Sequence, residues 1–241
     1  MIRVRITRAR GSTPREEGAE MMVGPDAVTG TIGGGQLEYL AIDRARQMLA
    51  RGEDRAVMDI PLGPEIGQCC GGRVELTLDR EPASPAPPRP SVLIFGAGHV
   101  GRALARAMLL LPVNLRLIDQ RPAELSLADM PGELTPLPEA EVRRAPPGSA
   151  YVILTHDHAL DFLIAAEALA RGDAAYVGMI GSATKRVTFS RFAKAQGIDP
   201  APLTCPIGGT VRDKRPEVIA AFTAAEIMAT LLARLPARAT A

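Results

Sequence analysis

At 241 residues with 46% hydrophobic residues, the chain is long enough to bury a sizeable core and to divide into two domains. Its 28 basic and 27 acidic residues nearly cancel, 3% of residues are aromatic and tryptophan is absent, which argues against a nucleic-acid or membrane partner held by bulk electrostatics or base stacking. Three cysteines, and no charged leader before a long apolar run, fit a reducing, cytoplasmic compartment, and the longest apolar candidate for a span, residues 109–113, is far shorter than the ~20 residues a crossing helix needs.

Along the chain, Ile2, Val4 and Ile6 alternate with Arg3, Arg5 and Thr7, the period-two pattern of a half-buried strand, and Gly11-Ser12-Thr13-Pro14-Arg15 breaks it. A second short strand is expected at 21–24. Gly33-Gly34-Gly35 then leads into a helix with Leu37, Leu40, Ala41, Met48 and Leu49 on one face, and apolar runs at 56–60 and 74–78 read as further strands, with Cys69-Cys70 between them. Residues 80–91 hold five prolines in twelve positions, which suits neither helix nor central strand and marks a semi-rigid linker. It separates a smaller, glycine-rich α+β domain, residues 1–79, from residues 92–241. There, "SVLIFGAGHVGRALARAMLLL" reads as strand, tight turn and helix, and "NLRLIDQR" as a strand ending in an acid. Further strands are expected at 151–154 and 175–180, with helices at 159–171, 182–196 and 215–234. That alternation predicts an α/β domain with a Rossmann-like doubly wound parallel sheet.

Gly96-Ala97-Gly98-His99-Val100-Gly101 fits G-x-G-x-x-G, and Asp119 follows at the end of the next strand. In that setting the first glycine permits the turn, the second admits a phosphate, the third lets helix and strand pack, and the acid accepts from a ribose hydroxyl. A second loop, Gly30 to Gly35, offers successive amides at a helix N-terminus to an anion, or is simply a turn that needs positive φ. Ile207-Gly208-Gly209 repeats the theme. His156 and His158 bracket Asp157 where a strand ends, the edge at which such sheets bind ligands, although local hydrogen bonding explains them equally well. Ser182, Lys185 and Arg186 open another helix at that edge, as an anion clamp or as ordinary capping. Cys69 and Cys70 cannot form an unstrained bridge, because adjacent Cα atoms sit about 3.8 Å apart and a disulfide needs roughly 4.4 to 6.8 Å.

The motifs "GSTPRE", "GTIGGGQLE", "QCCGG", "FGAGHVG", "THDHALD" and "MIGSATKR", in this order and across most of the chain, resemble the xanthine dehydrogenase accessory proteins of the XdhC/CoxI family. The resemblance implies a chaperone without turnover of its own. Such a protein binds molybdenum cofactor (Mo-molybdopterin) as cargo, shields it while a cysteine desulfurase exchanges an oxo for a sulfido ligand, and delivers it to apo xanthine dehydrogenase; a homodimer is expected. On this sequence the soft metal and dithiolene suit a thiolate, so Cys69 or its neighbour Cys70 is expected to hold the molybdenum while Gly33, Gly34 and Gly35 receive the phosphate. Gly96, Gly98, His99, Gly101, Asp119, His156, Asp157, His158, Ser182, Lys185 and Arg186 are expected to contact the cargo or a nucleotide. The competing reading is an NAD(P)-dependent oxidoreductase built on the second domain.

Overall fold

The computed structural model describes residues 1–64, 71–80, 89–209 and 213–234. These form two compact units, residues 1–80 and residues 89–234.

The first unit contains β1 (Ile2–Arg10), β2 (Glu20–Val23), β3 (Val28–Gly30), α1 (Gly35–Arg51), β4 (Arg55–Pro61) and β5 (Arg73–Asp79). Its five strands lie in the order β3-β2-β1-β5-β4, every neighbour antiparallel. The alternation in β1 buries Ile2, Val4 and Ile6 fully, in one core with Leu37, Ala41, Ala45 and Met48 of α1. Each such aliphatic side chain contributes about 1.5–3 kcal/mol when removed from water. The pairing of β1 with β5 shifts between Ile6 and Arg8, so the inward alternation stops there. Gly52, left-handed at φ 70°, ends α1 with its amide on the Met48 carbonyl. The buried stripe of α1 includes Ala45, whereas Leu40 and Leu49 are only half-buried at its margin.

The second unit contains β6 (Ser91–Phe95), α2 (His99–Met108), β7 (Asn114–Asp119), α3 (Pro122–Leu125), β8 (Glu133–Leu134), α4 (Pro138–Arg144), β9 (Ala150–Ile153), α5 (His158–Ala170), β10 (Tyr176–Met179), α6 (Ala183–Ala195), β11 (Leu203–Thr204) and α7 (Pro216–Arg234). All strand pairs are parallel, in the order β8-β7-β6-β9-β10-β11. Numbered within the unit this is 3-2-1-4-5-6, the doubly wound Rossmann order. In β6, Val92 and Ile94 face a core shared with α2 and α7, while Leu93 and Phe95 face one shared with α4, α5 and α6. A strand buried on both faces explains the unbroken apolar run "SVLIF".

One correction concerns membranes. Among the described residues, the helix long and apolar enough to cross one is α7, with a mean hydropathy of 1.5, and not residues 109–113. Its Ala220, Ala224, Ile227 and Leu231 are buried in the same core as Leu104, Ala105 and Met108 of α2, while Phe222 and Leu232 on its other side are exposed.

Candidate functional site

In the first unit the loop after β1 touches two motifs that are distant in sequence. A Cβ at Gly72 would lie 2.2 Å from the Ser12 carbonyl oxygen, and one at Gly33 would lie 2.6 Å from Cγ of Pro14. Gly72 is two residues past Cys70, and the chain there is clamped to the end of β4 by Gly71 N–H to Leu62 O (2.9 Å) and Leu62 N–H to Gly72 O (2.8 Å). The "GSTPR" loop therefore packs against both the glycine loop before α1 and the root of the cysteine segment. Cys69 and Cys70 themselves lie outside the described residues.

Gly33, Gly34 and Gly35 all have positive φ (129°, 78° and 65°), which other residues adopt only with strain. The amides of Ile32 and Gly33 already donate to Oε1 of Glu38, at 2.9 and 3.2 Å, and the Thr31 hydroxyl donates to the same oxygen. Burial raises the Glu38 pKa, but the hydroxyl and the loop amides more than offset this and hold the carboxyl below its ordinary value. An internal carboxylate thus occupies part of the expected anion cradle. The Gly34 amide is drawn to the same carboxylate, although no atom lies within 4 Å of where a Gly34 Cβ would be.

In the second unit the switch point of the sheet falls between β6 and β9, whose outgoing helices α2 and α5 lie on opposite faces. Gly96, Asp119, Thr155 and His156 line a narrow cleft there with a cavity volume of about 10 Å³, room for about one water and far less than the roughly 300 Å³ at which ligand pockets usually begin. The three fingerprint glycines differ in kind. A Cβ at Gly96 would lie 2.3 Å from the Leu154 oxygen and one at Gly101 1.8 Å from the Gly96 oxygen, so both are required by packing. Gly98 meets nothing within 4 Å, and α2 has no side-chain cap, so its first-turn amides remain approachable.

Asp119 is buried and internally bound. Its Oδ2 accepts from the Ala97 amide (2.6 Å) and from Nη2 of Arg121 (2.8 Å), and its Oδ1 accepts from the amide (2.9 Å) and Nε (3.0 Å) of Arg121. Burial pushes its pKa up, yet the Arg121 guanidinium and the two amides outweigh burial and bring it below the usual carboxylate range. A ribose could take these oxygens only by displacing Arg121.

The "THDH" turn divides its histidines. Asp157 caps α5 by accepting from Ala159 N–H (2.8 Å), and the chain turns helical there; His156 lines the switch-point cleft, while His158 lines a groove between α5 and α6. His99 is exposed at the start of α2. Ser182 caps α6 by accepting from the Lys185 amide (3.3 Å). Lys185 does not face solvent as a free clamp: its ammonium pairs with Asp161, which is fully buried and also accepts from the Thr155 amide (3.0 Å) and hydroxyl (2.6 Å). Arg186 is exposed and forms no ion pair with an acid among the described residues. Sequence reasoning missed Asp161, Glu38 and Arg121 as partners. Only "THDHALD" held a visible signal, an acid one helical turn after the capping Asp157. Cys205 is buried, and burial raises its thiol pKa against the opposing pull of Lys185 and Arg186. Among the described residues no group of three or more His, Cys, Asp or Glu side chains could hold a metal ion.

Residues 92–227 match the model of the XdhC Rossmann domain, and residues 1–60 match that of the XdhC and CoxI family. The chain is 29% identical over 239 residues to the uncharacterised protein YqeB of Escherichia coli strain K12, an alignment that covers 92% of this chain and 42% of that protein. Its fold is similar to a crystal structure described as a xanthine dehydrogenase from Bacillus halodurans, with a TM-score of 0.81 at 18% identity, covering 98% of this chain and 93% of the other. With the family model spanning the second unit and its companion spanning most of the first, the chain belongs to the XdhC and CoxI family.

Proposed function

We propose that this protein serves xanthine dehydrogenase maturation as a cytoplasmic, homodimeric carrier: it binds molybdenum cofactor as cargo, protects it while a cysteine desulfurase supplies the sulfido ligand, and passes it to the apoenzyme. The observation that carries this reading is the loop at Gly11–Arg15, packed at once against Gly33 and Gly72. It holds Gly72, two residues past the adjacent thiols in sequence, and the glycine loop at one end of one sheet, where a ligand with a soft metal end and a phosphate end would meet both chemistries. Thiolates of Cys69 or Cys70 would hold the metal end. A phosphate would enter on the side that the missing Gly34 side chain leaves open and would compete with Glu38 for the loop amides. Gly98 and the uncapped start of α2 suit a second anionic group or a nucleotide.

The oxidoreductase reading rests on the same α2 loop. The engagement of both Asp119 oxygens by Ala97 and Arg121 weighs against it, because the ribose contact of that motif has no free acceptor. The test is anaerobic binding of molybdenum cofactor to the wild type, Cys69→Ala, Cys70→Ala and the double variant, with NADH titrated in parallel. We expect the double variant to lose at least about tenfold in cofactor affinity, roughly the 1.4 kcal/mol of one lost contact, with unchanged melting and no NADH saturation. Wild-type cofactor affinity in the double variant would remove the thiol assignment, and tight NADH binding would restore the rival.

A further inference from the structure

Helix α7 is apolar on both sides, and the core beneath it accounts for only one of them. Its buried stripe is Ala220, Thr223, Ala224, Ile227 and Leu231. At about 100° per residue, Val218, Ala221, Phe222, Ala225, Ala229 and Leu232 fall within an arc of about 100° on the opposite side. Val218 is half-buried and the other five are exposed, Phe222 by 51% and Leu232 by 57%. From Val218 to Ala233 the helix carries one charged residue, Glu226, and its carboxylate accepts from the Tyr176 hydroxyl (2.5 Å). A surface helix ordinarily places its charges on the side that faces water. Helix α7 is about 28 Å long and 10–12 Å across, so its outer face covers roughly 300 Å² in flat projection, the size at which an apolar patch marks an interaction site.

The spacing says what fits on it. Val218, Ala225 and Leu232 recur every seven residues with Ala221, Phe222 and Ala229 beside them, the narrow seam that a second helix fills. The seam complements itself in one direction. When two identical helices run antiparallel about a two-fold axis between residues 225 and 226, Phe222 of each copy faces Ala229 of the other, bulk against space on the same side of the seam. A parallel pair in register would set Phe222 on Phe222 and Ala225 on Ala225, which crowds one contact and leaves a void at the other. An apolar face without charge has the composition of an interface between copies, whereas a transient partner is steered by charges around its site. A membrane fits less well, because the buried stripe holds α7 in its unit and the outer face carries no Lys or Arg to meet lipid headgroups.

We infer that the outer face of α7 is a homodimer interface, closed by antiparallel pairing with α7 of a second copy of this chain. One helix per copy gives less than the roughly 800 Å² per partner of a standard interface, so the dimer is expected to dissociate reversibly at about micromolar concentration.

That two copies associate is part of the function proposed above; the surface through which they do so is argued from α7 alone. The full-length protein is sedimented over about 1 to 100 μM as wild type, Ala225→Glu and Leu232→Glu. Both positions are exposed, and unchanged circular dichroism confirms the fold. We expect the wild type to dimerise and each variant to associate at least about tenfold more weakly, since a carboxylate then enters an apolar seam. We also expect Phe222→Cys/Ala229→Cys to give a covalent dimer on mild oxidation, and neither single variant to do so beyond the wild-type background. A wild type that stays monomeric throughout overturns the inference. So do glutamate variants that dimerise like wild type, which would place the dimer on another surface, and a covalent dimer from Phe222→Cys alone, which would mean a parallel pair. Flotation of the wild type with phosphatidylglycerol-containing vesicles, lost in Ala225→Glu, gives the face to lipid and overturns it too. Molybdenum cofactor binding on the same samples separates the two proposals: a monomer that binds cargo removes the dimer alone, and a dimer that binds none removes the carrier reading alone.

Discussion

Gly98 and Gly101 stand three residues apart, and one methyl group distinguishes their roles. At Gly98 φ is −67° and a Cβ meets open space, so Gly98→Ala is expected to melt within about 0.5 kcal/mol of wild type while weakening any ligand whose phosphate approaches the α2 amides. At Gly101 the added carbon would sit 1.8 Å from a backbone oxygen, and Gly101→Ala is expected to cost more than about 3 kcal/mol or to prevent folding. Thermal melting and ligand titration of both variants check this, and equal melting would mean the packing reading is wrong. Asp119 offers a pH test. Its pKa is lowered in the folded state, so its contribution to stability is complete above the unfolded value near 3.9 and is lost as pH falls through the folded one. Asp119→Asn is expected to destabilise by about 2–4 kcal/mol at neutral pH and to show a weaker acid dependence than wild type in urea titrations below about pH 4. The identities of these glycines and of the acid were legible in the motif. That Arg121 rather than a ligand holds Asp119 was not, because a two-residue spacing at a strand end does not say which way a guanidinium turns.

Between elements, the ion pair of Lys185 with Asp161 ties α6 to α5 and, through Thr155, to the end of β9. Lys185→Met leaves a buried carboxylate without its cation and is expected to cost about 3–5 kcal/mol. Adding Asp161→Asn should recover part of that loss, a non-additivity that a double-mutant cycle in urea measures directly. Additive losses would mean that the two side chains act separately. The longer elements were readable because periodicity accumulates over their length: the helices expected at 159–171, 182–196 and 215–234 are α5, α6 and α7 within one residue at each end. The elements β3, β8, β11, α3 and α4 were not readable: they are short and, unlike the equally short β9 and β10, carry no continuous apolar run.

On the scale of the molecule, each unit has its own core, one around β1 and α1 and two on either face of β6. Separately expressed residues 1–80 and 89–241 are therefore expected each to unfold cooperatively, as seen by circular dichroism on heating. A half that shows no transition would mean that its core does not suffice alone.

Composition and pattern determined the parallel sheet of the second unit and the family, because alternation and glycine spacing are local properties that burial and backbone sterics translate into structure without reference to distant residues. Tertiary structure decided which motif residues remain available. Glu38 lies on the loop amides of Ile32 and Gly33, Arg121 on Asp119, and Asp161 on Lys185, so three groups that looked ready for a ligand are bound by the protein itself. Only folding brings the loop after β1 against Gly33 and Gly72, and only helix packing turns Phe162 and Phe192 into a groove. The physical reason is that a charged or donor group, once buried, must find a partner, and the nearest one in space is set by the chain's path and not by its order.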